Sequence, residues 1–167
     1  MLHGLELNAE LPLDPVRRAD MPFRVERTRD RMERLEREDL WHEPPLVEEL
    51  LVEAERIPPP EPVCLCHGDL HLRHLLVGED GTPTAVIDWI DLSRNDPAVD
   101  LTLFWSSLPT ESRRPFLDTY GEVTEHQLLR ARVLSLFLCG TLALFGRHEG
   151  LPALEREAVA GLERTCG

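Results

Sequence analysis

Three apolar runs separated by polar turns occupy the middle of the chain, and helical periodicity fills the sequence on both sides of them. Val63-Cys-Leu-Cys66 leads into a polar loop, His67-Gly-Asp69-Leu-His71-Leu-Arg73. His74-Leu-Leu-Val77 follows, then a turn at Gly78-Glu-Asp-Gly81 and a run, Ala85-Val-Ile87, that ends on Asp88. The pattern predicts a strand, a loop and a strand-turn-strand hairpin, with Asp69 and Asp88 at the mouths of adjacent strands. Upstream, residues 1 to 24 carry Pro12, Pro15 and Pro22, which predict a short helical or extended lead-in followed by loop, with Arg17 and Arg18 as surface charges. Val25 to Leu40 predicts a helix with Met32 and Leu35 as apolar positions and a solvated face of charges paired three or four residues apart. Pro44-Pro45 opens a second helix, Leu46 to Arg56, and Pro58-Pro-Pro60 with Pro62 stops it and stiffens the approach to Val63.

After Asp100 the pattern is helical to the last residues. Val99 to Leu108 predicts a short apolar helix closed by Pro109, and Thr110 to Tyr120 a second one closed by Gly121. Thr124 caps a long helix running through Phe145, and Pro152 to Arg164 forms a final amphipathic one. In the long helix Val133, Leu134, Leu136, Phe137 and Leu138 are apolar nearly all round, so it is expected at the centre of the core. Its longest apolar stretch, Val133 to Phe145, is broken by Ser135, Gly140 and Thr141 and is expected to be too short to span a bilayer. The fold class expected is therefore α+β and predominantly helical. One domain over residues 1–167 divides into a helical lead-in with a Pro-rich connector (1–62), the strand-loop-hairpin segment (63–101) and a helical part (102–167).

Composition narrows the function classes. A formal charge of -13, from 31 acids against 18 bases, argues against nucleic-acid or anionic-membrane binding through bulk electrostatics and mildly favours a cationic small molecule. All 18 bases are arginine, because the chain contains no lysine. Cys64, Cys66, Cys139 and Cys166 form no second Cys pair that would complete a zinc pattern, and free thiols in a reducing compartment are expected. Met1-Leu-His-Gly-Leu-Glu shows no basic segment followed by an apolar one, so no signal peptide is visible and the expected location is cytoplasmic.

His67-Gly-Asp69-Leu-His-Leu-Arg-His74, the hairpin spacing, Ile87-Asp88-Trp89 and Asp96-Pro-Ala-Val-Asp100-Leu together resemble the aminoglycoside phosphotransferase and choline kinase-like family, a branch of the protein kinase-like fold. The resemblance implies an ATP-dependent transfer of the γ-phosphoryl group to a hydroxyl of a small-molecule alcohol. Asp69 would accept the hydroxyl proton and Asp88 would hold the Mg²⁺ that bridges the phosphates. His67, Asp96 and Asp100 would support the loop, while His71 and Asp91 lie where an acceptor could touch them, with plain exposure as the other reading of each. His74 stands where the family usually has Asn, and Ile90 where it usually has Gly. Imidazole suits manganese, zinc or iron better than magnesium, so His74 could alter the metal, leave one metal position empty or bond the Asp69 loop. The bulk of Ile90 is expected to restrict the chain where it bends past Asp88.

Upstream of residue 63 there is no Gly-rich loop, a single glycine (Gly4), and no strand lysine to meet ATP phosphates. The resemblance therefore covers a carboxy-terminal lobe, with Met1-Leu-His-Gly-Leu similar to the helix after the inter-lobe hinge. The ATP-covering lobe is expected to be absent and the chain weak or inactive alone. A second reading is a non-catalytic lobe that pairs as a homodimer through the surface so exposed. A third is a metal-dependent hydrolase built on His67, Asp69, His71 and His74, with His126 or His148 as distant ligands.

Overall fold

In the computed structural model, residues 2–5 and 11–167 are described. Parts of the expected lead-in, Met1 and residues 6–10, lie outside the described residues, and Leu2–Gly4 forms a single 3-10 turn. Six α-helices follow among the described residues: α1 (Met21–Arg37), α2 (Pro45–Ala54), α3 (Thr102–Ser106), α4 (Thr110–Tyr120), α5 (Glu125–His148) and α6 (Pro152–Cys166). Four short strands, β1 (Cys64–Cys66), β2 (Leu75–Val77), β3 (Pro83–Val86) and β4 (Ser93–Asn95), lie between α2 and α3.

The helix α1 starts four residues earlier than expected, because Pro22 sits in its first turn, where a missing N–H costs nothing. Met21, Val25, Met32 and Leu35 then form one buried stripe. At α5, Thr124 accepts from the Gln127 N–H while the Gln127 side chain accepts from the Thr124 N–H, a reciprocal cap that satisfies two orphan donors. The helix reaches His148, so it is long and apolar enough to cross a membrane, a correction to the shorter span expected. Yet 61% of its most apolar window is buried against the rest of the chain, where α1, α2, α3 and α6 all pack on it. Val133 and Leu136 are fully buried there, each contributing about 1.5–3 kcal/mol. Close approach of α6 depends on Gly146, since a Cβ there would lie 2.7 Å from the Glu155 nitrogen.

The strands do not form one sheet. β2 and β3 make the expected antiparallel hairpin, Leu75 opposite Val86, with an irregularity at Val77. β1 pairs instead with β4, Cys64 opposite Asn95 and Cys66 opposite Ser93. β4 was not foreseen, because Ser-Arg-Asn has no alternating apolar signal. Asp69 and Asp88 thus leave strands of different sheets rather than adjacent strands. All four cysteines are free, and the Cys64 and Cys66 sulfurs lie 3.5 Å apart on one side of β1.

Candidate functional site

The loop after β1 is held from below by one carboxylate. The His67 and Gly68 backbone N–H groups donate to the two oxygens of Asp100 at 2.7 and 3.0 Å, and His3 Nε2 lies 3.0 Å from the same group. Asp100 is buried, so these charge-assisted bonds are not diluted by water. The buried His67 ring joins the loop to the end of β3: Nε2–H donates to the Ile87 carbonyl at 2.9 Å and Nδ1 accepts from the Asp69 N–H at 3.3 Å. Thr102 adds a bond from its hydroxyl to the Leu70 carbonyl at 2.8 Å.

Gly68 turns the loop with φ +91°, and a Cβ placed there would sit 2.4 Å from the Asp91 carbonyl oxygen. Gly68→Ala is expected to cost at least about 2 kcal/mol, from the left-handed strain together with the clash. Urea denaturation measures it, and an unchanged midpoint would contradict this account of the turn.

Asp69, His71 and His74 offer ligand atoms that all lie within 4.8 Å of one another. His71 Nε2 is 3.5 Å and His74 Nδ1 3.7 Å from Asp69 Oδ2, and the two imidazoles stack with centroids 4.0 Å apart. The hydrogen bond with His71 holds the Asp69 carboxyl below the usual carboxylate range. Partial burial opposes it, and the charges of His71, His74 and Arg18 add to it. His71 is buried, which removes the reading of plain exposure.

His74 links the two acids. Its Nδ1–H donates to the Asp69 carbonyl oxygen at 2.7 Å, and its Nε2 faces Asp88 Oδ2 at 3.5 Å. With Nδ1 committed as donor, a neutral ring would turn a lone pair toward a carboxylate. A proton or a cation on that side resolves the conflict, so the donor set fits a divalent metal. Asp88 itself is half exposed and adopts the left-handed region, φ 64° and ψ 64°, an uncommon conformation for a residue other than glycine and one that recurs at functional sites.

The remaining acids take separate places. Asp91 pairs with Arg18 at 2.9 Å, and Arg18 also holds Asp14 at 2.7 Å, so Arg18 is a half-buried brace rather than the surface charge expected. Asp96 caps the 3-10 turn Pro97–Val99 by accepting from the Ala98 N–H at 3.0 Å, and it pairs with the buried Arg130 at 3.1 Å. Ile90 is 88% exposed and crowds nothing, contrary to the expected restriction. His126 and His148 are exposed, and His148 pairs with Glu38 at the far end of α1, so neither joins the cluster.

Above Asp69 opens a cavity of about 510 Å³ between the start of α1 and the middle of α5. Its walls include Gly68, Asp69, Arg18, Phe23, Arg24 and Phe137. Sequence reasoning missed Arg24 and Arg130. Arg130 and Arg132 both precede the apolar middle of α5 in the sequence, and only burial in the fold sets Arg130 apart.

Three comparisons bear on this arrangement. The model of a family described as the phosphotransferase enzyme family matches residues 2–134. The sequence is 33% identical to the uncharacterized protein YcbJ of Bacillus subtilis (strain 168) over 58 residues, 35% of this chain and 19% of that protein. Among solved structures, macrolide 2'-phosphotransferase type I matches with a TM-score of 0.53 at 21% identity, over 96% of this chain and 55% of that one. The GDP and kanamycin complex of APH(2")-IIia matches with a TM-score of 0.54 at 21% identity, over 93% and 53%. The chain spans little more than half the length of these two structures and about a fifth of the curated relative. At this identity the structural likeness speaks for the fold.

Proposed function

Because the chain belongs to the phosphotransferase enzyme family, we propose that it is the catalytic and metal-binding lobe of a kinase that moves the γ-phosphoryl group of a nucleoside triphosphate to a hydroxyl of a small molecule. One observation carries the reading: His74 draws Asp69 and Asp88 to opposite edges of one ring, with Asp69 facing a cavity that can seat an acceptor. On this reading Asp69 orients the hydroxyl and takes its proton as the oxygen attacks the γ-phosphorus. The bond to the bridging oxygen breaks, and the nucleoside diphosphate leaves. Asp88 and His74 would hold the divalent ion, which neutralises phosphate charge when bound. Asp100, His67 and Gly68 keep Asp69 in place.

The apolar groups exposed on the hairpin and just beyond it, Leu76, Val77, Ile87, Trp89 and Ile90, support the view that this lobe works beneath a covering partner. The relatives' greater length supports an ATP-covering lobe in that role, and a second copy of the chain would cover the same groups. A metal-dependent hydrolase remains the third reading, favoured by the tight grouping of Asp69, His71 and His74. Tightly bound zinc in the purified protein would bring it forward.

Calorimetric titration with ATP, and with GTP because one solved relative holds GDP, tests the first reading in magnesium and in manganese. Metal-dependent binding that falls at least tenfold in Asp88→Asn is expected. A folded protein that binds neither nucleotide in either metal would remove the nucleotide site from this chain and leave the non-catalytic lobe as the account.

A further inference from the structure

The cavity above Asp69 is walled by Arg17, Arg18, Arg24 and Arg27, although the chain as a whole is strongly acidic. Two of these charges are answered locally: Arg17 pairs with Asp20, and Arg18 with Asp14 and Asp91. Arg24 and Arg27 have no carboxylate within 4.0 Å among the described residues. Arg24 is the more telling. It is 94% buried at 6% exposure, its Nε–H is spent on the Arg18 carbonyl at 3.2 Å, and among the described residues no acceptor meets its two terminal nitrogens. Burial first, then the charges of Arg18 and Arg27, push its guanidinium down to about 10, so it stays cationic at neutral pH.

Both unpaired groups are held in fixed orientations by aromatic rings. The Arg24 guanidinium lies over Phe137 at 4.3 Å from the ring centroid and that of Arg27 over Phe23 at 4.2 Å. A guanidinium stacked by its face keeps its N–H donors at its edge, where an oxyanion can meet two of them in one plane. Thr141 adds a wall of the same cavity, and its hydroxyl accepts from Arg31 Nε at 3.1 Å. Burying the Arg24 charge beside other arginines is costly, and an anionic group of a ligand relieves that cost.

We propose that this cavity takes an acceptor carrying a carboxylate or phosphate on a flat or apolar body, its anionic end on Arg24 and Arg27 and its hydroxyl toward Asp69. The inference rests on the phosphotransferase reading only for the fate of the hydroxyl; the anion preference stands on the cavity. It reverses the cationic acceptor suggested by net charge, because Asp14, Asp20 and Asp91 are spent on Arg17 and Arg18 and Asp69 is the acid in the cavity wall.

Calorimetry without nucleotide tests it, using 4-hydroxybenzoate and 4-(aminomethyl)phenol, two phenols of similar size and opposite charge. The expected result is that 4-hydroxybenzoate binds at least tenfold more tightly and that this preference collapses in Arg24→Met. Arg27→Met, at an exposed position that folding tolerates, is expected to weaken the anion at least threefold. Arg114→Met, at an exposed position of α4 outside the cavity wall, is expected to leave the preference intact. Equal or tighter binding of the amine, failure of both probes to bind at millimolar concentration, or an anion preference unchanged in Arg27→Met would overturn the proposal. Nucleotide binding that depends on Asp88 alongside amine preference would sink this inference alone. Anion preference without any nucleotide binding would sink the kinase reading and leave the cavity assignment standing.

Discussion

Asp69→Asn is expected to slow phosphoryl transfer by about 10²- to 10⁴-fold, the usual contribution of a positioned general base. The measurement is kcat/KM in an enzyme that carries this lobe together with an ATP-covering one. The change is isosteric, and the bonds that set the loop use backbone groups: the His67 and Gly68 N–H groups on Asp100, and the Asp69 carbonyl on His74. Loss should therefore fall on kcat, with nucleotide affinity held by Asp88 and His74. The hydrogen bond with His71 keeps the Asp69 carboxyl below the ordinary range, so the base is ionised at neutral pH and the acid limb of the rate profile should lie below the usual carboxylate range if Asp69 alone sets it. A rate within tenfold of the parent would remove Asp69 from that role.

Arg130→Met carries the largest expected loss of stability, about 3–5 kcal/mol, typical of breaking a buried ion pair from one side. The Arg130 guanidinium donates to the Ala19 carbonyl at 3.0 Å, to Asp96 at 3.1 Å and to the Pro58 carbonyl at 2.7 Å. It thus ties the approach to α1, the Pro-rich connector and the turn leading to Asp100 onto the central helix. Both charged side chains are about 3% exposed, so methionine would leave a carboxylate and two carbonyls without their partner. For a chain of this size the thermal midpoint should fall on the order of 10 °C. Removing both charges in Arg130→Met/Asp96→Asn should cost less than the sum of the single changes. A single-variant cost below about 1 kcal/mol, or strict additivity, would contradict the account.

How far the site could be read beforehand depended on the range of the interactions that build it. Residues close along the chain were legible. The polar loop between two apolar runs placed Asp69, and the turn at Gly78 to Gly81 aligned β2 with β3, since each rests on backbone preferences within a few residues. The partner of β1 was not legible. Ser93–Asn95 is polar and short, and it becomes a strand only because the chain, after turning past Asp88, comes back beside Cys64–Cys66. Arg18 read as a surface charge and Arg24 was missed for a related reason. Arginine burial is decided by what packs over it, and nothing in the residues around Arg24 reveals that Phe137, more than a hundred positions later, lies beneath its guanidinium.

The sequence by itself determined the helical majority, the hairpin and the central position of α5, because hydrophobic period, proline placement and capping chemistry act locally and survive without knowledge of neighbours; the two acids were singled out by the family resemblance. The tertiary structure decided which groups those acids meet and the sign of the charge above them. His74 reaches both Asp69 and Asp88 only once the hairpin folds back over the loop. The cavity is basic in an acidic chain because side-chain electrostatics depend on distance in space, and folding spends Asp14, Asp20 and Asp91 on Arg17 and Arg18 while Arg24 and Arg27 meet no carboxylate among the described residues.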